Sequence, residues 1–405
     1  MTLVMNSSQE KLTVHDVIVV GTGPAGAVLA YLLAKRGLDV LILERATLPR
    51  YKSCGGGVTW KAMQNLPFDA SAVFEQKAVG GVVTYAGQQL LKVEVGWPVA
   101  WLVMRDRFDH YLVQQAVQAG AHLVEGISVV SVEDKGDRVV VITTKGELQA
   151  QLLAGADGVN SIVARSVGLI PDREVGVAVE AELAVSPASL EAQGAYATFD
   201  FGALPGGYGW IFPKRDHLSV GVFKAIPGKA IGLKKALEKF IASEAVLLDP
   251  KILHMQGHQI PLGGRTRTLH KGRVLLVGDA ANLADPWMGE GISYAVVSAR
   301  IAAEQMYYAL KSKEIDLSSY TKLINASITP QLLSARLFAK AVYALPEVCS
   351  DLLSRSPFMQ QMVFDVIRGD RTFIEMTTAL LLGMPRIVVE TLFKHEQPKM
   401  QMADG

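Results

Sequence analysis

Apolar residues first form an unbroken run at Val17–Val20, directly after Asp16, which is the pattern of a short strand buried on both faces. The run enters Gly21-Thr22-Gly23-Pro24-Ala25-Gly26. A helical spacing then covers Ala27–Arg36 and stops at Gly37, and a second β-type run, Leu38–Leu43, closes on Glu44. Strand, glycine turn, helix and strand within about thirty residues predict a βαβ unit. Gly55-Gly56-Gly57 marks a loop, and Asp109–Gly120 carries a helical apolar face at Tyr111, Leu112, Val113, Ala116 and Val117. Short β-type runs follow at Ser128–Val132, Val139–Thr143 and Gln151–Ala156.

From Val175 to Ile260 the pattern changes to alternation with few helical signals, as in Ala195–Phe201 and Leu218–Phe223, and predicts an inserted sheet layer. Val274–Val277 is another buried strand, followed by a glycine-bounded turn and a long apolar helix, Ile292–Leu310. Beyond Asp316 the chain reads as helical to near Lys394, with a polar tail, His395–Gly405. The predicted fold class is α/β. A Rossmann-like dinucleotide-binding domain (residues 1–80, 100–175 and 268–312) is interleaved with a mainly antiparallel β-sheet substrate domain (81–99 and 176–267). A C-terminal helical region spans 313–405.

Composition narrows the function. The 405 residues carry 40 Lys and Arg against 39 Asp and Glu, a balance that argues against nucleic acid, whose binding needs clustered cations. The two cysteines, Cys54 and Cys349, build no disulfide framework and no iron–sulfur spacing, so a reducing compartment is expected and no metal site. No secretory signal is visible at Met1–His15. The apolar stretches Ala379–Leu382 and Ile387–Val389 are broken by Gly383, Pro385 and Arg386, so no segment reaches the ~20 residues of a spanning helix. The expectation is a cytoplasmic protein, peripheral to a membrane at most.

Each glycine of the turn has its own physical task. Gly21 permits the tight turn, Gly23 removes a Cβ where a pyrophosphate approaches Pro24 and Ala25, and Gly26 lets helix and strand pack closely. The helix N-terminus turns unpaired N–H groups toward the phosphates, and Glu44, beside Arg45, accepts from the ribose hydroxyls. Two later segments favour FAD over NAD. Ala156-Asp157-Gly158, with Ser161 and Arg165 behind it, closes one strand; Gly278-Asp279-Ala280 closes another and leads through Pro286 to Gly289-Glu290-Gly291-Ile292. A flavin's ribityl chain wants a carboxylate such as Asp279, and the helix after Gly291 directs its positive end at the pyrimidine edge.

These motifs, together with Arg105-x-x-Phe108-Asp109-x-x-Leu112, resemble over residues 14–310 the FAD-dependent monooxygenase-like (para-hydroxybenzoate hydroxylase-like) superfamily. Two more resemble its geranylgeranyl reductase family: Lys52-Ser53-Cys54-Gly55-Gly56, similar to that family's Lys-x-Cys-Gly-Gly loop, and Tyr208-x-Trp210-x-Phe212-Pro213. The resemblance implies bound FAD, with Arg105 reaching the cofactor, the Gly289–Ile292 turn against the isoalloxazine, and aromatics along an isoprenoid pocket. It also implies reduction of polyprenyl C=C bonds, such as those of a geranylgeranyl chain in a lipid, chlorophyll or quinone precursor. The chain departs from the family where Gly221-Val222-Phe223 replaces an expected Gly-x-Gly.

Three consecutive glycines let backbone lie flat on a planar ring, placing Cys54, Gly55 and Gly56 at the flavin, where a thiol is a weak proton donor. Alternation puts Tyr208, Trp210 and Phe212 on one strand face. The candidate catalytic set is Cys54, Tyr208 and Trp210. Met288, Met359, Met362, Met376 and Met384 suit a lipid tunnel but suit a core better. Without a second GxGxxG, the electron donor is NADPH docking transiently or a ferredoxin-like protein. Two other readings stay open at this point. One is an aromatic monooxygenase or halogenase, for which Lys77 is the candidate lysine and Tyr208 and Phe212 replace the expected Trp and Ile; the other is a cluster-free flavoprotein electron carrier.

Overall fold

The computed structural model describes residues 13–170, 172–226, 232–312 and 314–393. The strands Val274–Leu276, Gly146–Gly155, Val14–Val20, Val40–Leu43 and His122–Val124 lie side by side in that order, all parallel. Their apolar runs are buried, under a helical layer in which Pro24–Ala34 packs on Arg105–Gln118 and on Ile292–Lys311, and the strands Val139–Thr143 and Val129–Asp134 extend antiparallel from Gly146–Gly155. The first helix starts at Pro24, three residues before the Ala27 predicted from apolar spacing. Gly23 caps it and Pro24 occupies its first turn, where proline's missing N–H costs nothing.

A second sheet has seven strands, in the order Lys251–Pro261, Val175–Ala184, Leu218–Lys224, Gly207–Pro213, Tyr196–Asp200, Gly80–Tyr85 and Gln88–Glu94. All its pairings are antiparallel except that of Tyr196–Asp200 with Gly80–Tyr85. Its outer face is covered by the helix Leu233–Ser243, which buries Ala236, Leu237 and Phe240. That helix and Pro187–Gln193 correct the expectation of few helices between Val175 and Ile260. Each is a short segment, and alternation in the flanking strands masks so brief a helical period.

The helical C-terminal stretch divides into Ser318–Ser327, Thr329–Ala344, Pro346–Arg355, Pro357–Arg368, Phe373–Leu382 and Met384–Phe393. Pro346 and Pro357 open helices, while Gly369 and Gly383 close them, so the breaks fall where backbone chemistry requires. Met359, Met362, Phe373 and Met376 from these helices share one apolar cluster with Tyr208, Trp210 and Phe223 from the inner face of the second sheet. The space between that face and these helices is therefore walled almost entirely by apolar groups.

Candidate functional site

One cavity of about 800 Å³ runs from the glycine turn, past the Cys54 loop, to the inner face of the second sheet. At its first end the three glycines behave differently. Gly21 has φ +105°, and a Cβ there would lie 2.4 Å from the Ala156 carbonyl oxygen; one on Gly26 would lie 2.0 Å from the Gly21 oxygen. A Cβ on Gly23 would meet no protein atom within 4 Å. The chain needs the first and third glycines for its own packing, whereas the space over the second is open. That open cradle beside Pro24 and Ala25, at a helix N-terminus without a side-chain cap, fits a pyrophosphate.

Glu44 and Arg45 also line the cavity, at the tip of the second parallel strand. Glu44 is held by the Thr22 amide at 3.3 Å, the Thr22 hydroxyl, the Ala46 amide at 3.0 Å and the Arg50 guanidinium at 3.5 Å. Arg50 continues to the fully buried Asp109 at 3.2 Å, and Arg105 binds Asp109 through two nitrogens at 2.8 and 3.0 Å. Burial works against the Arg105 charge, but Asp109 and a hydrogen bond with Cys54 outweigh it and raise its pKa.

Asp157 lies on the cavity wall, yet its oxygens accept from the Ser161 hydroxyl at 2.6 Å and from the Ile162 and Val163 amides at 2.7 and 3.1 Å. It caps a helix start. Asp279 instead stands in the Gly278–Ala281 turn, with Gly278 at φ +57° and the Gly291 backbone close to its carboxyl. Arg173 pins this turn by donating to the Asp279 and Ala280 carbonyls at 2.8 and 3.1 Å. Gly289, Gly291 and Ile292 line the cavity where the helix Ile292–Lys311 begins.

The Cys54 loop forms the joint between the two ends. The Gly56 amide donates to the Cys54 sulfur at 3.3 Å, and the fully buried Lys214 ammonium donates to the Gly55 and Val103 carbonyls, both at 2.8 Å. A Cβ on Gly55 would lie 3.0 Å from both Phe212 and Trp210, so the glycine loop packs directly on the aromatic strand. Lys52 lies 2.7 Å from His258. Burial, then Lys52 and Arg105, push His258 down to about 3, so it is a neutral acceptor.

Beyond the loop, Tyr208, Trp210 and Phe212 line the cavity from one strand face, joined by Phe199, Phe201 and Phe223. The Tyr208 hydroxyl donates to the Met288 carbonyl at 2.6 Å, and burial raises its pKa, so its proton is committed to backbone. The Trp210 indole N–H has no hydrogen-bond partner among the described residues. Phe223 faces Tyr208 with ring centres 5.6 Å apart and fills the space that the expected glycine would leave open. Leu353, Val363, Phe364, Ile367 and Phe373 from the C-terminal helices close the chamber opposite. Of the five methionines considered for a tunnel, Met288 lines the cavity; Met359, Met362 and Met376 are buried core and Met384 is exposed.

The cavity thus brings together the sequence-chosen residues from Gly21 to Ile292 except Gly26 and Gly278, which pack behind its wall. The sequence reading missed Arg50, Arg173, Glu180, His258 and Asp285. The buried Asp285, pushed up to about 6 by burial, accepts from the Trp287 and Met288 amides and shapes the turn before Gly289. Glu180 and His258 could have been noticed as titratable residues inside otherwise alternating strands.

A cradle of this kind at the tips of a parallel sheet, opening onto an apolar chamber, defines a flavin-dependent oxidoreductase. The FAD binding domain family matches residues 14–198 and 234–325. The digeranylgeranylglycerophospholipid reductase 1 of Methanopyrus kandleri is 32% identical over 323 residues, 75% of this chain and 83% of its own length. The chloroplastic geranylgeranyl diphosphate reductase of Nicotiana tabacum is 30% identical over 383 residues, 86% of this chain and 80% of its own. In fold, the geranylgeranyl bacteriochlorophyll reductase-like protein of Thermoplasma acidophilum superimposes with a TM-score of 0.77 at 22% identity, over 93% of this chain and 98% of its own. The chain belongs to the geranylgeranyl reductase family of FAD-dependent oxidoreductases.

Proposed function

We propose that this oxidoreductase saturates C=C bonds of a polyprenyl chain, of geranylgeranyl type, carried by a lipid, chlorophyll or quinone precursor. The observation that carries the reading is the single cavity joining the nucleotide cradle to an aromatic-walled chamber, with Cys54 at the joint. Gly21–Gly26, Glu44, Arg45, Asp279 and the Gly289–Ile292 turn would hold FAD, which when bound and reduced supplies hydride. The chain's own residues do the rest. Phe199, Tyr208, Trp210, Phe212 and Phe223 exclude water and hold an apolar chain beside the Gly55–Gly57 loop, the positioning an unactivated alkene requires. Cys54 is the candidate proton donor of that loop, while the Tyr208 hydroxyl is hydrogen-bonded to the Met288 carbonyl.

Electrons would come from NADPH or a ferredoxin-like protein. Among the described residues no helix is long and apolar enough to cross a membrane. The last two helices nevertheless expose Leu381, Leu382, Val389 and Leu392, which supports reversible contact with the membrane that carries the substrate. Lys77, the lysine considered for halogenation, is exposed and off the cavity wall.

The deciding experiment is anaerobic incubation of dithionite-reduced, FAD-loaded protein with geranylgeranyl diphosphate and with a digeranylgeranylglycerophospholipid. Mass gains in steps of one hydrogen pair per bond are expected. Oxygen uptake coupled to a hydroxylated or halogenated product would move the protein to the monooxygenase reading.

A further inference from the structure

Glu180 and Glu182 are two residues apart on the strand Val175–Ala184 and so share a face, where both are buried. Glu180 reaches the cavity wall, near Ser53 and Cys54. The Tyr51 hydroxyl donates to Glu180 at 2.8 Å and stands 3.4 Å from Glu182. The other oxygen of Glu182 lies 3.1 Å from His217 Nε2, and His217 Nδ1 lies 2.7 Å from Asp216. Asp216 is in solvent, with 82% of its side chain exposed, against 10% for His217 and 6% for Glu182. A hydrogen-bonded path therefore leads from the surface to Glu180, whose second carboxyl oxygen has no partner among the described residues and which lines the cavity that Cys54 also lines.

We propose that Asp216, His217, Glu182, Tyr51 and Glu180 form a relay that brings one proton per reduced bond from solvent to Cys54. The inference rests on the alkene-reduction reading, in which each bond takes up one hydride and one proton. Once the Cys54 S–H bond has broken to protonate substrate carbon, the Glu180 O–H bond breaks and S–H forms again. Tyr51 gives its proton to Glu180 as it takes one from Glu182; His217 restores Glu182 from Nε2, and its ring then turns so that the emptied nitrogen takes a proton from solvent beside the Asp216 carboxylate. Rotation of the Tyr51 hydroxyl resets the path, with one proton in and one out.

The local charges suit this task. Burial, and then Glu182, push the Glu180 pKa up, which favours its holding a proton. Burial opposes the His217 charge, but Glu182 and Asp216 outweigh it, so His217 keeps a proton to give. The other charges bearing on the path are Lys214, which senses Glu180, Glu182, Glu75 and Cys54, and Arg107, which senses Asp216.

The test compares FAD-loaded wild type with Tyr51→Phe and His217→Gln, reduced with dithionite and given the two polyprenyl probes above in a single turnover. Alkene reduction should slow by roughly 10²-fold with KM unchanged, the loss growing at higher pH and the solvent deuterium effect rising. Reoxidation by ferricyanide, which needs no proton in the chamber, should keep its rate. In FAD-free protein, the protonated-carboxyl infrared absorption at neutral pH should lose one component in Glu180→Gln, the contributions of Glu244 and Asp285 remaining. Wild-type rates and pH profiles in both variants, or an unchanged protonated-carboxyl absorption in Glu180→Gln, would overturn the relay alone. Rate loss accompanied in both variants by loss of flavin or of melting temperature would assign the path a structural role and overturn it too. A wild type inactive on every polyprenyl probe would overturn the reductase reading and the relay with it.

Discussion

Trp210 and Gly221 stand directly opposite each other on neighbouring antiparallel strands, and the indole occupies the volume that a side chain at position 221 would need. A Cβ there would lie 2.2 Å from the indole ring, so Gly221→Ala must displace Trp210 from the chamber wall. The expected cost is about 1–3 kcal/mol of overpacking together with a raised KM for the polyprenyl substrate. Thermal unfolding and steady-state kinetics on the same preparation check both.

Phe223 is the departure from the family pattern, and its ring closes the chamber beside Tyr208 and Gly289. Phe223→Ala should deepen the chamber and shift preference toward longer or more branched chains. A core truncation of this size costs about 3–5 kcal/mol of stability. Competition between polyprenyl chains of two lengths, read by mass spectrometry, measures the shift; an unchanged ratio would count against Phe223 as a limit on chain length.

The nucleotide turn separates folding from binding. Gly23→Val adds atoms only to open space and should leave the melting temperature of the FAD-free protein unchanged while abolishing flavin retention. Gly26→Ala, whose Cβ would lie 2.0 Å from the Gly21 oxygen, should destabilise the FAD-free protein itself. Calorimetry of both variants with and without FAD distinguishes the two effects.

Glu244, just past the helix Leu233–Ser243, is buried with one carboxyl oxygen lacking a partner among the described residues. Burial, and then the charge of Asp200, push its pKa up to about 7. The folded state therefore binds this proton more tightly than the unfolded chain. Its contribution to stability is present below the ordinary Glu value and is lost as pH rises to about 7. Glu244→Gln should flatten that decline and melt higher than wild type at pH values above it, by on the order of 2 kcal/mol. Melting curves across this range test the sign.

The amino-acid sequence by itself determined what is local: the buried runs, the glycine turn that admits a nucleotide, the breaks between C-terminal helices, and the shared face of Tyr208, Trp210 and Phe212. Backbone conformation and side-chain periodicity act over a few residues, so these features are readable from a short window. Contacts between distant segments are not. Only the folded chain decided that Asp157 caps a helix while Asp279 faces Gly291, that the Met288 carbonyl accepts a hydrogen bond from Tyr208, and that Phe223 fills the place of a glycine. The same holds for the path from Asp216 to Glu180, whose members come from three separate segments, near 51, 180 and 216. The buried carboxyls there are held by Tyr51 and His217, from loops distant in sequence, and no local pattern of residues encodes such a partnership.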